Sequence, residues 1–247
     1  MRRLFCLVLA LGLLLSACHQ RGNDLVFEGD FTHGDNALVH LSWASPDGTV
    51  VLDSVKMKNG HFRFTLRATD DESRARNATP MLYKLDLGHN NAITTIAQGG
   101  QHLRFTADAA NLVRTYRVSG GEEALLCCQL DSALSVLAQQ AEEWYPYYQK
   151  NIENDSIRAS IEARYIELVN AHTAYLKDFI QKHPQNMASY MAFYQQYNRR
   201  VFLDREEYDG LLRTLTQTLK QQYPDSPYIL MMERRMERMD LQKQIQL

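Results

Sequence analysis

The chain has 247 residues, 45% of them hydrophobic and 23% charged, with 27 basic and 29 acidic side chains and a formal net charge of −2. No basic stripe is present to displace counterions from a phosphate backbone, which argues against a nucleic-acid partner. The length is enough for one sizeable hydrophobic core or for two small domains.

The first 17 residues have the pattern of a secretory signal. Arg2 and Arg3 precede an uncharged stretch from Leu4 to Leu15, and the small residues Ser16 and Ala17 follow that stretch. An apolar segment of this length is too short to span a bilayer. We therefore predict a cleaved signal peptide over residues 1–17.

Cys18 directly follows these small residues, and the tetrapeptide from Leu15 to Cys18 (LSAC) resembles the bacterial lipobox. The resemblance implies a lipoprotein, with diacylglycerol on the Cys18 thiol and a further acyl chain, such as palmitate, on its amino group. Several acyl chains together hold a protein firmly at a membrane. The alternative is an ordinary signal peptide with an incidental cysteine. Residues 18–24 would form a lipidated linker, and we expect the periplasmic side of the outer membrane because no acidic cluster follows Cys18.

Residues 25–120 alternate apolar and polar side chains, which predicts a β-rich domain. Asn59-Gly60 lies between two alternating runs and predicts a hairpin with a type I′ turn. The polar and charged residues 69–80 are expected to form an exposed loop. Short strands joined by turns indicate an antiparallel β-sandwich or a partial barrel. The later strands are predicted at residues 82–87, 92–97, 103–106 and 113–118.

From residue 121 to residue 247 the hydrophobic period changes to that of helices, and we predict a helical domain of about four helices. One helix would carry the apolar face from Ile157 to Phe179 and end near His183-Pro184. Another would follow Asp204, with Glu207 completing a capping box. The last would begin at Ser226-Pro227, where serine caps the helix and proline takes its first position. The fold class is therefore α+β.

The segment VVLDSVKMKNGHFRF, together with QGGQHLRF and YRVSGG further on, resembles a β-rich domain of unknown function from Bacteroidetes-type lipoproteins. In that family a helical segment and a thioredoxin-like domain of the peroxiredoxin-related class follow. This sequence is expected to lack the thioredoxin-like domain, so its oxidoreductase activity is not implied here. The resemblance instead suggests an accessory module that partners a separate thioredoxin-like protein.

Cys127 and Cys128 are adjacent in a segment with a helical pattern, and neighbouring cysteines form only a strained disulfide. They are interpreted as two small buried apolar side chains. A vicinal thiol pair in a thiol-disulfide oxidoreductase system remains the alternative. The sequence contains no nucleophile elbow, phosphate-binding glycine loop or zinc motif, so we expect a non-enzymatic protein without a metal site or cofactor.

Eleven of the thirteen tyrosines lie after residue 144, and the densest group is the WYPYY segment: Trp144, Tyr145, Tyr147 and Tyr148 around Pro146. Proline is expected to break the helix there and to turn several rings outward. Such rings could bind a peptide or a glycan, because they bury a large area and keep a polar tip. The alternative is that the rings pack between helices. A stripe of Ile229, Met232, Met236 and Met239 poses the same choice between core packing and a partner-binding face.

We therefore predict a membrane-anchored lipoprotein that acts as a non-enzymatic binding or scaffolding module.

Overall fold

The computed structural model describes residues 23–245, so the predicted signal peptide and Cys18 lie outside the described residues. The N-terminal half contains two four-stranded sheets. The first sheet has the order β4-β1-β7-β8, in which β1 is Leu25–Thr32, β4 is His61–Leu66, β7 is His102–Asp108 and β8 is Arg117–Ser119. The second has the order β3-β2-β5-β6, in which β2 is Leu38–Ser45, β3 is Gly48–Lys56, β5 is Met81–Asp86 and β6 is Ala92–Ala97.

Helices dominate the second half, as predicted, and the fold is a mixture of α and β structure. The helices, in chain order, are α1 (Asp71–Ala78), α2 (Leu112–Thr115), α3 (Glu122–Lys150), α4 (Asp155–Lys182), α5 (Ala188–Phe193), α6 (Asp209–Gln222) and α7 (Pro227–Ile245). A two-stranded hairpin of β9 (Gln196–Tyr197) and β10 (Arg200–Val201), which the sequence pattern did not reveal, interrupts the helical half.

The buried members of the alternating strands contribute to the hydrophobic core. Phe27 on β1 packs against Tyr83 on β5 with ring centroids 5.1 Å apart, and against Phe105 on β7 at 6.4 Å. The buried side chains of strands and helices belong to one hydrophobic cluster. Aromatic side chains contribute strongly to it because each buries a large apolar area.

Tyr228 on α7 connects the helical half to the second sheet. Its buried hydroxyl accepts hydrogen bonds from Trp43 Nε1 (3.1 Å) and from the backbone N–H of Leu82 (3.1 Å). The same hydroxyl donates to the carbonyl of Ala44 at 2.8 Å. One side chain thus satisfies polar groups on two strands that would otherwise be unpaired.

The side chain of Glu123 on α3 caps the N-terminus of another helix, α5. Its buried carboxylate accepts the backbone N–H groups of Met187 (2.9 Å) and Ala188 (2.8 Å) at the start of α5. These N–H groups have no partner within their own helix, and a negative charge there also complements the helix dipole. Burial raises the pKa of Glu123, against the opposing effect of these hydrogen bonds.

The turn at Asn59-Gly60 is confirmed, but the predicted hairpin is wrong. Both residues have positive φ (53° and 77°), as a type I′ turn requires. The flanking residues Lys58 and His61 form an isolated antiparallel β-bridge. Beyond that bridge, β3 pairs with β2 and β4 pairs with β1, so the turn carries the chain from one sheet to the other. Pairing is also not wholly antiparallel, since β1 and β7 run parallel.

The segment predicted as a loop over residues 69–80 instead contains helix α1. Asp70 Oδ1 accepts the backbone N–H of Ser73 at 2.8 Å, and Ser73 Oγ accepts the N–H of Asp70 at 3.1 Å. This reciprocal cap starts the helix despite its polar sequence. The Ser73 hydrogen bonds lower the pKa of Asp70.

The strand predicted over residues 113–118 is wrong in its first part. Helix α2 occupies residues 112–115, and the strand that follows, β8, begins at Arg117.

Two of the predicted helix boundaries are confirmed and one is wrong. Helix α4 ends at Lys182 with His183 as its C-cap, and α7 begins at Pro227. The predicted serine cap of α7 does not form through the side chain, because Ser226 Oγ has no hydrogen-bond partner. The capping box predicted from Asp204 and Glu207 does not form. Asp204 forms an ion pair with Arg235 of α7 instead, and a short 3₁₀ helix, Glu206–Tyr208, precedes α6.

Candidate ligand-binding groove

Helix α3 continues through Pro146 to Lys150, so the prediction that proline breaks the helix is wrong. Proline removes one backbone donor and crowds the carbonyl four residues earlier, which bends or weakens a helix. The neighbouring helix α4 packs along α3, and the Tyr148 hydroxyl donates to Glu162 of α4 across the interface at 3.1 Å. This interhelical packing accounts for the persistence of the helix beyond proline.

The outer ends of these two helices have a different environment from the inner ends. Buried residues of α3 extend only as far as Leu137, and those of α4 begin only at Val169. Between them, residues 138–168 form the outer part of a helical hairpin. The WYPYY segment lies on this outer part and is therefore close to solvent.

A groove of about 870 Å³ lies at the outer part of the hairpin. Its size falls within the range of ligand pockets. Helix α3 supplies one wall, helix α4 the second, and the turn of the β9–β10 hairpin the third. The lining residues are Ala141, Glu142, Trp144, Tyr145 and Tyr148 of α3, Ile161, Glu162, Tyr165 and Ile166 of α4, and Tyr197 and Asn198 of the hairpin.

Three of the four predicted aromatic residues line this groove: Trp144, Tyr145 and Tyr148. Tyr147 does not line it, although it is 54% exposed and Tyr145 is 62% exposed. The reason is helical geometry, since residues three or four apart share a face and Tyr147 projects elsewhere. Sequence reasoning missed Tyr165 and Tyr197, because they come from elements distant in the chain.

The two carboxylates of the groove are paired within the protein. Glu142 forms an ion pair with Arg114. Glu162 accepts the Tyr148 hydroxyl and has Arg158 Nε 3.8 Å from Oε1. The hydrogen bond to Glu162 raises the pKa of Tyr148. Each carboxylate keeps further lone pairs that can accept hydrogen bonds from a ligand.

The hairpin that forms the third wall is tightly turned. Asn198 and Arg199 both have positive φ (47° and 66°), the conformation of a two-residue type I′ turn. Arg200 places its guanidinium over the Tyr165 ring at 5.9 Å, which links the hairpin to α4. Burial raises the pKa of Tyr197. The hairpin thereby fixes one tyrosine and one amide at the edge of the groove.

The cysteine pair lies elsewhere, at the inner end of α3. Cys127 is 0% and Cys128 8% exposed, and both thiols are free. The Cys127 sulfur lies 3.4 Å from the Met191 sulfur, and burial raises the pKa of both thiols. A nucleophilic cysteine needs an accessible thiolate. The surroundings therefore favour the interpretation of two packed apolar side chains.

The methionine stripe of α7 also faces the protein interior. Ile229 and Met232 are fully buried, and Met236 and Met239 are partly buried against the core. This placement supports core packing over a partner-binding face.

Two histidines lie close to one glutamate on an exposed face of the first sheet. His102 Nε2 lies 2.5 Å from Glu28, and His61 Nε2 lies 3.7 Å from the same carboxylate. Arg63 also binds Glu28, at 3.0 Å. Across residues 23–245, no group of three or more histidine, cysteine, aspartate or glutamate side chains is arranged to hold a metal ion.

Comparison with protein-family models, with curated proteins and with solved structures found no match for this chain. Within the described part of the chain, no helix combines the length and the apolar character needed to cross a membrane.

Proposed function

We propose that this protein is a non-enzymatic binding lipoprotein of the cell envelope, anchored through Cys18, and that the groove between α3, α4 and the β9–β10 hairpin holds its ligand, a peptide or a glycan. The observation that carries the proposal is the convergence of five aromatic rings on one open groove of about 870 Å³. We further infer that the two sheets stack as a β-sandwich, which Phe27 and Tyr83 support by their ring contact.

The location of the groove supports a binding role over a structural one. Aromatic rings that stabilise a fold are normally buried, whereas Tyr145 is 62% exposed. Large amphipathic rings on an accessible concave surface are typical of recognition sites. The buried thiols of Cys127 and Cys128 give no comparable support to an oxidoreductase role. A thioredoxin-like partner stays a prediction from the family resemblance.

The proposal can be tested with the intrinsic fluorescence of Trp144. The chain has two tryptophans, so Trp43→Phe leaves Trp144 as the single emitter, inside the groove. Full-length protein in micelles of a detergent without a sugar headgroup is titrated with pools of short peptides and of oligosaccharides. We expect at least one pool to shift or quench the Trp144 emission.

A matched pair of variants locates the binding site. Tyr145→Ala removes an exposed ring that lines the groove, and Tyr147→Ala removes an equally exposed ring that does not. We expect Tyr145→Ala to weaken binding about tenfold, which corresponds to about 1.4 kcal/mol, and Tyr147→Ala to leave it unchanged. Equal losses in both variants, or no response to any pool, would refute the groove as the binding site.

A further inference from the structure

Each of the two carboxylates that line the groove has an arginine beside it, so the charge of the lining is largely balanced. Glu142 and Glu162 line the groove, while Arg114 pairs with the first glutamate and Arg158 lies beside the second. Arg200 covers the Tyr165 ring at the same end. An acidic ligand would meet the two carboxylates of the lining, and a basic ligand would compete with the arginines that already lie beside these carboxylates. The groove offers no net charge that would complement a charged ligand of either sign, and this favours a neutral ligand.

The same polar groups disfavour a purely apolar ligand. A hydrocarbon side chain laid over Glu142 or Glu162 would remove water from carboxylate oxygens without replacing its hydrogen bonds. Both carboxylates would keep their protein partners, but the loss of water from their remaining lone pairs opposes binding. The ligand must therefore bring hydrogen-bond donors to the glutamates while presenting flat apolar faces to the rings.

Resting on the proposed function, we infer that the groove binds a neutral oligosaccharide. A pyranose ring has an apolar face of C–H groups, which stacks on an aromatic ring, and an edge of hydroxyl groups that donate and accept hydrogen bonds. Tyr145 and Trp144 supply the stacking surfaces. Glu162 and Glu142 accept from the sugar hydroxyls, and the Asn198 amide both donates and accepts.

Asn198 is the residue we assign to specificity. It lies at the turn of the hairpin with a φ of 47°, and asparagine tolerates this conformation better than most residues. The turn therefore holds the amide on a short and stiff connection at the rim of the groove. Asn198→Gly keeps the backbone geometry and removes the amide alone, which makes it a clean test of hydrogen bonding.

The experiment uses an array that carries neutral, anionic and cationic oligosaccharides beside acidic, basic and apolar peptides. Full-length fluorescently labelled protein is applied in sugar-free detergent, at low and at high sodium chloride. We expect binding to neutral oligosaccharides, and we expect salt to leave it unchanged because screening acts on charged partners. Trp144→Ala and Tyr145→Ala are each expected to weaken it about tenfold, and Asn198→Gly to change the order of preference among the sugars.

The outcomes separate this inference from the proposed function. Binding only to peptides or to charged sugars, lost in Tyr145→Ala but kept in Tyr147→Ala, would overturn the neutral-sugar inference and leave the groove as a binding site. Binding of no probe at all would overturn both. Circular dichroism checks that each variant is folded, and the exposed position of Tyr145 makes its variant informative even if Trp144→Ala unfolds.

Discussion

Helices α3 and α4 have one character at their inner ends and another at their outer ends. The inner end of α3 buries Ala124, Cys127 and Leu130 completely, and Leu176 of α4 is equally inaccessible. The outer ends expose tyrosine and tryptophan along a groove instead. Both ends are rich in large or soft apolar side chains. The two ends therefore differ in burial, which residue type alone does not reveal, and the proposed binding role of the outer ends depends on this difference.

Tyrosine shows the contrast best. Tyr116, which follows α2, is buried against the inner end of α3, where its hydroxyl donates to Asp131 at 2.7 Å, and burial raises its pKa well above the usual value. Tyr145, at the outer end, faces solvent. If the two ends have separate roles, inner substitutions should change stability and outer substitutions should change binding.

The largest expected effect is at the inner end, for Glu123→Ala. The substitution leaves the N–H groups of Met187 and Ala188 buried without acceptors and also creates a cavity. We expect a loss of about 4 kcal/mol in the free energy of unfolding, measured by denaturant titration. Glu123→Gln keeps one acceptor oxygen and should lose less. Equal stability of wild type and Glu123→Ala would contradict the capping role.

The next effect concerns the link between the helical half and the second sheet. Tyr228→Phe keeps the ring but removes the hydroxyl that bonds Trp43, Leu82 and Ala44. Buried groups left without partners should lower the free energy of unfolding by about 3 kcal/mol. The control is Tyr147→Phe, which alters an exposed hydroxyl and should have no measurable effect. A Tyr228→Phe protein as stable as the control would show that water replaces these bonds.

A smaller effect depends on pH. Burial raises the pKa of Asp131 from 3.8 to about 6, against the lowering effect of the Tyr116 hydrogen bond. The folded state therefore holds this proton more tightly than the unfolded state, and protonation stabilises the fold. As pH rises from about 4 to about 7, ionisation of Asp131 should lower the free energy of unfolding by about 2 kcal/mol. This is less than the full pKa shift implies, because the residue keeps some solvent contact.

Asp131→Asn removes this titration and provides the comparison. We expect the stability difference between the variant and the wild type to change by that amount over the same pH range, in favour of the variant at the higher pH. Denaturant midpoints measured at several pH values supply the data. A difference that stays constant with pH would show that Asp131 ionises in the folded protein as it does in the unfolded chain.

The sequence predicts local features well where local physics decides them. The strand Ala92–Ala97 follows from alternation, and the end of α4 before Pro184 and the start of α7 at Pro227 follow from the positions of the prolines. The sequence does not predict features that depend on contacts between residues distant in the chain. Strand β4 pairs with β1, which is distant in the chain, and not with the adjacent β3. Helix α1 was missed for a local reason, because its polar sequence hides the reciprocal cap between Asp70 and Ser73.

The same limit applies to the groove. Trp144, Tyr145 and Tyr148 were predicted as a binding group because they are dense in sequence. Tyr165 and Tyr197 carry no comparable signal, since they reach the groove only through the packing of α4 and of the short hairpin. Tyr147 belongs to the same dense group in the sequence but does not line the groove, because its helical position turns it away.

The smallest expected effect on stability is at the outer end and is the sharpest test of the comparison. Tyr145→Ala and Tyr147→Ala each remove an exposed ring, and exposed substitutions away from caps and buried bonds usually change stability by less than about 0.5 kcal/mol. Both variants should therefore unfold at the wild-type denaturant concentration. If Tyr145→Ala were markedly less stable than Tyr147→Ala, the ring would be a packing element of the hairpin, and weaker ligand binding in that variant would no longer indicate direct contact. Equal stability with unequal binding would separate the two roles within a single helix.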